Sequence, residues 1–166
     1  MGADVSELEL FISKIDEAGI NLDSYYRQAA KELASRLIAL VVPRTVVGNY
    51  PKEMNRVGGT LRRGWVTKTH EESYSKTQNL AGSPSHSEVK QWAQALPVHR
   101  VGEAYQIEVI NPVEYASFIE YGHTMPNGAY YKPRHMMTIS ANELETIAPK
   151  ILEERLYKYL KKRLDA

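Results

Sequence analysis

A carboxylate, a phenol and an imidazole fall together in Glu120-Tyr121-Gly122-His123, and a second cluster of Tyr130, Tyr131, Lys132 and Arg134 follows closely. Such groups could hold a metal, move a proton or recognise a partner. A metal site needs ligands brought to one face, as in His-x3-His or His-Glu-x-x-His. The histidines at 70, 86, 99, 123 and 135 stand singly. Even if His123 and His135 met across the loop between them, a third ligand such as Glu120 would be required. Proton transfer needs two groups aimed at one point, and the adjacent pairs Glu71-Glu72 and Glu153-Glu154 point apart on a strand or a helix. No Gly-x-Ser-x-Gly, phosphate loop or dinucleotide fingerprint occurs, and Val57-Gly58-Gly59-Thr60 is only a glycine pair. The residues therefore predict no catalytic set, no metal and no cofactor.

Recognition is the chemistry that remains. Arg56, Arg62, Arg63 and Lys68 lie in a stretch from 54 to 70 that contains no acid. It reads either as a strand edge kept from pairing by its charges or as a basic rim for acidic partners or DNA phosphates. Trp65 beside it suits a core or an interface, with the core preferred. Glu120 is opposite in sign to Arg62, Arg63 and Arg134, and a ring of identical subunits needs complementary charges on unlike faces. The plainer reading of Glu120 to His123 is a helix end with an exposed carboxylate and a glycine stop. As sites of subunit or partner contact the sequence nominates Arg62, Arg63, Trp65, Glu120, Tyr121, Gly122, His123, Tyr131 and Arg134.

Composition narrows the rest. The chain has 166 residues, enough for one cored domain spanning 1–166. Its formal charge of +1, from 21 basic and 20 acidic residues, supplies no global field towards nucleic acid or membrane. There are no cysteines, and no apolar run approaches the ~20 residues needed to span a bilayer. The opening residues lack a basic and then apolar leader, so a soluble protein made in the cytoplasm is expected. Eleven tyrosines against two phenylalanines hint at surfaces that are apolar on one side and wet on the other.

The elements that must position these residues follow from periodicity. A capping pair Ser6/Glu9 and a stripe through Val5, Leu8, Ile12 and Ile15 predict a helix over 6–18, and Leu22, Tyr26, Ala29, Leu33, Leu37 and Leu40 predict a longer one ended by Pro43. Residues 43–60 read as loop and 64–69 as a strand. Residues 71–87 read as a polar excursion, so flexible loops are expected near 43–60 and 71–87. Ser85 and Glu88 cap a short helix bearing Val89, Trp92, Ala93 and Leu96, and residues 98–110 form a hairpin about Gly102-Glu103. Asn111, Pro112 and Glu114 start a helix whose face carries Tyr115, Phe118, Ile119 and Gly122. Ser140/Glu143 caps the last helix, with a kink or restart at Pro149 and the main run over 149–164. The expected fold is α+β, a small antiparallel sheet packed against long N-terminal and C-terminal helices.

Asn111, Tyr115-Ala116, Glu120-Tyr-Gly-His123 and Pro133-Arg-His-Met-Met-Thr-Ile-Ser140 resemble the C-terminal half of the phage neck proteins called tail-completion or head-tail joining proteins. Pro43-Arg44-Thr45 and Gly58-Gly59-Thr60-Leu61-Arg62-Arg63-Gly64-Trp65 resemble that family's Pro-Arg-Thr-Gly and Leu-Arg motif. Here about a dozen residues split it, leaving either Arg44 or Arg62 and Arg63 in the family's role. The resemblance implies a virion structural protein of the neck or tail, assembled in the host cytoplasm and without enzymatic activity. It further implies a homo-oligomeric ring, typically a hexamer, between the head's adaptor or completion protein and the tail tube or tail terminator, near DNA and away from membranes. The alternative drawn from the residues alone is a nucleic-acid-binding accessory protein using 56–68 and the cationic last helix.

Overall fold

The computed structural model of the chain describes residues 21–54, 57–79 and 82–164, with positions 10, 13, 14 and 19 besides. The helix expected over 6–18 and Arg56 fall outside these, apart from those isolated positions. Helix α1, Leu22–Arg44, starts where the Asn21 side chain accepts the Ser24 N–H at 2.9 Å. It runs through Pro43, which sits in the last turn instead of ending the helix one residue earlier. Its buried face carries Tyr25, Ala29, Ala34, Ile38, Val41 and Val42, whereas Leu22 and Tyr26 of the expected stripe are exposed. The stripe is thus rotated, because the sequence offers apolar residues on nearly every side of α1 and packing selects among them.

Residues 64–69, expected as a strand, form none: they start as a 3₁₀ turn and run on as an irregular bend. Thr60–Arg63 form one turn, α2, which tightens into a 3₁₀ turn over Gly64–Val66. Trp65 is buried here and its indole N–H donates to the Thr45 hydroxyl at 2.7 Å, pinning the turn beneath the end of α1. A buried hydroxyl pair, Thr67 with Ser73, ties it to α3, His70–Asn79, in the stretch expected as a polar excursion. Helix α4, His86–Ala95, has the reciprocal Ser85/Glu88 capping box that its sequence predicts.

Strands β1, His99–Val101, and β2, Ala104–Gln106, form the expected hairpin, with Gly102 at φ 61° in its turn. Helix α5, Ala116–Tyr121, is followed by β3, His123–Thr124, β4, Tyr130–Tyr131, and α6, Met136–Leu164. The fold is α+β, as expected, but among the described residues the strands make two separate antiparallel pairs. Helix α6 starts at Met136, before the Ser140/Glu143 cap expected for it, and is one helix through Pro149 with no restart. It lies antiparallel on α1: Tyr25 O–H donates to the Leu152 carbonyl, Tyr159 O–H to the Asn21 carbonyl, and Arg155 and Arg44 pair with Glu32 and Glu143. Contacts on both sides of Pro149 hold the two halves in line. The core joins α1 to Leu61, Trp65, Val66, Val89, Ala93, Val113 and Met136.

Candidate interaction surface

Asn111 does not cap α5. Its amide donates to the Leu61 carbonyl at 2.8 Å and accepts the Val113 N–H, fastening the end of the hairpin segment to α2. A Cβ on Gly64 would run into this Asn111 side chain, so glycine there is a packing requirement. Helix α5 then begins at Ala116, whose N–H reaches the Val113 carbonyl. Ala116, Ile119 and Glu120 turn inward, while Tyr115 and Phe118, expected on one face with Ile119, are exposed together with Tyr121.

Glu120 is only 7% exposed, contrary to the exposed carboxylate expected. One of its oxygens accepts the Met137 N–H at 3.0 Å, and the other accepts the Thr138 N–H at 2.9 Å and the Thr138 hydroxyl at 2.7 Å. It therefore caps α6 from a distance and faces its positive dipole end. Burial pushes the carboxyl upward, but the two backbone N–H groups, the Thr138 hydroxyl and nearby His135 outweigh it and hold the group below the ordinary carboxylate value. The chain from Gly122 to His135 closes as a strap: Arg134 N–H reaches the Ile119 carbonyl and His135 N–H the Glu120 carbonyl. Gly122, at φ 76°, lies where a Cβ would come within 2.7 Å of the Tyr131 carbonyl oxygen.

On that frame the aromatic side chains stack in sequence. The His123 ring lies 5.3 Å from Phe118 and 5.5 Å from its cross-strand neighbour Tyr131, and the Arg134 guanidinium sits 5.9 Å from the Tyr131 ring centre. Tyr121, 68% exposed, extends the surface beside Phe118. Behind it lies a cleft of about 410 Å³ between the 46–61 segment and the strap, lined by Tyr50, Gly58, Tyr115, Ile119, Tyr131 and Arg134 among others. The Tyr115 phenol is held above its ordinary range, by burial first and by Tyr50, against a hydrogen bond with Thr60. Among the described residues the Arg134 guanidinium has no carboxylate partner.

The structure thus brings Tyr121, Gly122, His123, Tyr131 and Arg134 together, with Glu120 beneath them. It keeps Arg62, Arg63 and Trp65 apart from them. Arg63 is 4% exposed and pairs with Glu88 at 3.0 Å, and Arg62 donates to the Thr45 carbonyl and the Ser83 hydroxyl. The Glu88 carboxyl is held low by the Ser85 backbone first and by Arg63 last. Much of the expected basic rim is therefore consumed inside the fold. Arg44 serves α1, donating to the Leu40 carbonyl and pairing with Glu143. Among the described residues no group of His, Asp or Glu is placed to hold a metal, and no helix is long and apolar enough to cross a membrane. Sequence reasoning passed over Phe118 as a surface residue; the signal was the capping carboxylate at 120, which fixes the opposite helix face outward.

Residues 9–122 match the model of the family described as "Bacteriophage HK97-gp10, putative tail-component", a span well over half of the chain. The chain belongs to the HK97-gp10-like family. It is accordingly a bacteriophage tail component, a structural part of the virion that works among other virion proteins. The matched span of this HK97-gp10-like protein ends at Gly122, so it covers α5 and all of the core cluster except Met136, and stops where the strap and α6 begin. Neither the curated proteins nor the solved structures give a match to it.

Proposed function

We propose that this tail component completes the tail and joins it to the head, as a ring of identical subunits, six in number, seated between the head's adaptor and the tail tube or terminator. The carrying observation is the preorganised surface of Phe118, Tyr121, His123, Tyr131 and Arg134. The His123 ring is already seated against Phe118 and Tyr131, and the Arg134 cation is unneutralised among the described residues, so docking an apolar partner with a carboxylate costs little ordering entropy. In this reading residues 1–166 act as one domain and the segments near 43–60 and 71–87 settle on docking. Glu120 and Gly122 shape the surface from within, while Arg62, Arg63 and Trp65 hold α2 and its 3₁₀ turn to the rest of the fold. The arrangement offers no nucleophile, base and oxyanion donors together, which fits a joining role.

The test is particle assembly in cells lacking the protein, viewed by electron microscopy, together with light scattering of the purified chain. Tail-less heads beside free tails are the expected products. Intact particles without the protein would end the proposal.

A further inference from the structure

Neither edge of the β1–β2 hairpin carries a third strand among the described residues, although the Val98 carbonyl just before β1 accepts from Arg27. Its register sets His99 opposite Gln106, Arg100 opposite Tyr105 and Val101 opposite Ala104, so His99, Val101 and Gln106 share one face. The chain keeps the strand's alternation beyond β2: Ile107 and Val109 pack against the core, while Glu108 and Ile110 point out, with Ile110 64% exposed. Strand β1 cannot follow it there, because the chain before His99 turns through Pro97 into α4. Among the described residues no backbone hydrogen bond is made by 107–110, and no third strand lies on either side of the hairpin. All three residues of β1 are exposed. An unpaired edge with exposed apolar residues invites another strand.

We infer that β2 and its continuation to Ile110 take the outer edge of β1 from a second copy of this chain, in antiparallel register with His99 of that copy opposite Glu108. This rests on the ring reading above and names the surface that closes the ring. In a ring whose axis runs along β1, rotated copies all point β1 the same way, so β2 meets the next β1 antiparallel, as the hairpin itself pairs. The two edges are unlike, which is what a head-to-tail ring needs. Charge complementarity selects the same occupant: in this register the His99 imidazole of β1 stands against the Glu108 carboxylate on the continuation of β2, on one sheet face. Pairing the 107–110 edge with itself about Glu108 would set Glu108 against Glu108.

The absence of cysteine makes the test direct. Particles carrying the double variant His99→Cys/Glu108→Cys are oxidised and run without reductant. A covalent ladder ending at the ring is expected, with each single variant remaining a single chain. Since the variants could fail for other reasons, charge reversal gives a second readout: Glu108→Lys lowers the yield of tailed particles about tenfold or more, and His99→Glu/Glu108→Lys restores it. Rings that show neither ladder nor rescue overturn this inference and leave the ring reading standing. A ladder from Glu108→Cys alone overturns it in favour of like edges. Particles in which the protein is found only as a single copy remove both.

Discussion

Glu120 shows how one side chain can serve two elements. Its main chain continues α5, and its carboxylate closes the N-terminus of α6, where Ser140 spends its hydroxyl on the Met136 carbonyl instead of capping. Replacing Glu120 by Ala leaves the first N–H groups of α6 unpaired in a buried place, and should lower stability by about 2 kcal/mol in denaturant unfolding. The pH dependence has a definite sign. The folded carboxyl titrates below the unfolded value of 4.5, so its contribution is fully present above that pH and is lost as pH falls through the lowered folded value. Unfolding followed from pH 6 downward should therefore show an acid-sensitive component in the wild-type chain that Glu120→Ala lacks. An equal acid slope in both would show that the carboxylate is not the cap described. A second residue prediction concerns Gly64. Alanine there must displace the Asn111 side chain or break its bond to Leu61, so Gly64→Ala should destabilise the chain by about 1–3 kcal/mol, read as a lowered thermal midpoint.

At the scale of elements, the proline in α6 is informative. Pro149 denies the Glu145 carbonyl its helical partner, yet it lies on an exposed side, where water can take that carbonyl. Because α1 grips α6 on both sides of it, Pro149→Ala should keep the helix and gain about 1–3 kcal/mol, seen as a higher thermal midpoint and slower amide exchange around 145–149. No gain would mean that the proline's cost is already offset. The same elements show what the sequence could reveal. Helix α4 was legible because its cap is local, three residues apart, and the hairpin because its turn is local too. The stretch 64–69 misled because Trp65, Val66 and Thr67 favour strands, whereas the turn is fixed by Thr45 and Ser73, which are distant or out of phase. The start of α6 was hidden for the same reason: its cap comes from Glu120, and Ser140/Glu143 imitates a start inside the helix. Within the candidate surface, Tyr121, His123, Tyr131 and Arg134 were legible as a cluster of types. Nothing local told that Arg63 would be drawn inside to Glu88.

The whole molecule divides its work between a buried frame and an aromatic surface, and the two can be separated by mutation. Arg134 and Tyr121 are exposed, and neither side chain holds an element in place among the described residues. Substituting them should leave the monomer's unfolding free energy within about 0.5 kcal/mol, the usual range for surface changes. Joining is another matter. Arg134→Glu puts a carboxylate where the proposed partner brings its own, and Tyr121→Lys removes the most exposed ring of the patch, where truncation of interface aromatics costs about 2 kcal/mol or more. Particle yield should fall at least tenfold for either variant while circular dichroism and the thermal midpoint stay as in the wild type. Trp65→Ala should do the reverse in order of cause, unfolding the chain by about 3–5 kcal/mol before any assembly step is reached. If Arg134→Glu particles join normally, the surface that meets the neighbour lies elsewhere, and the aromatic stack serves only to brace the strap over α5.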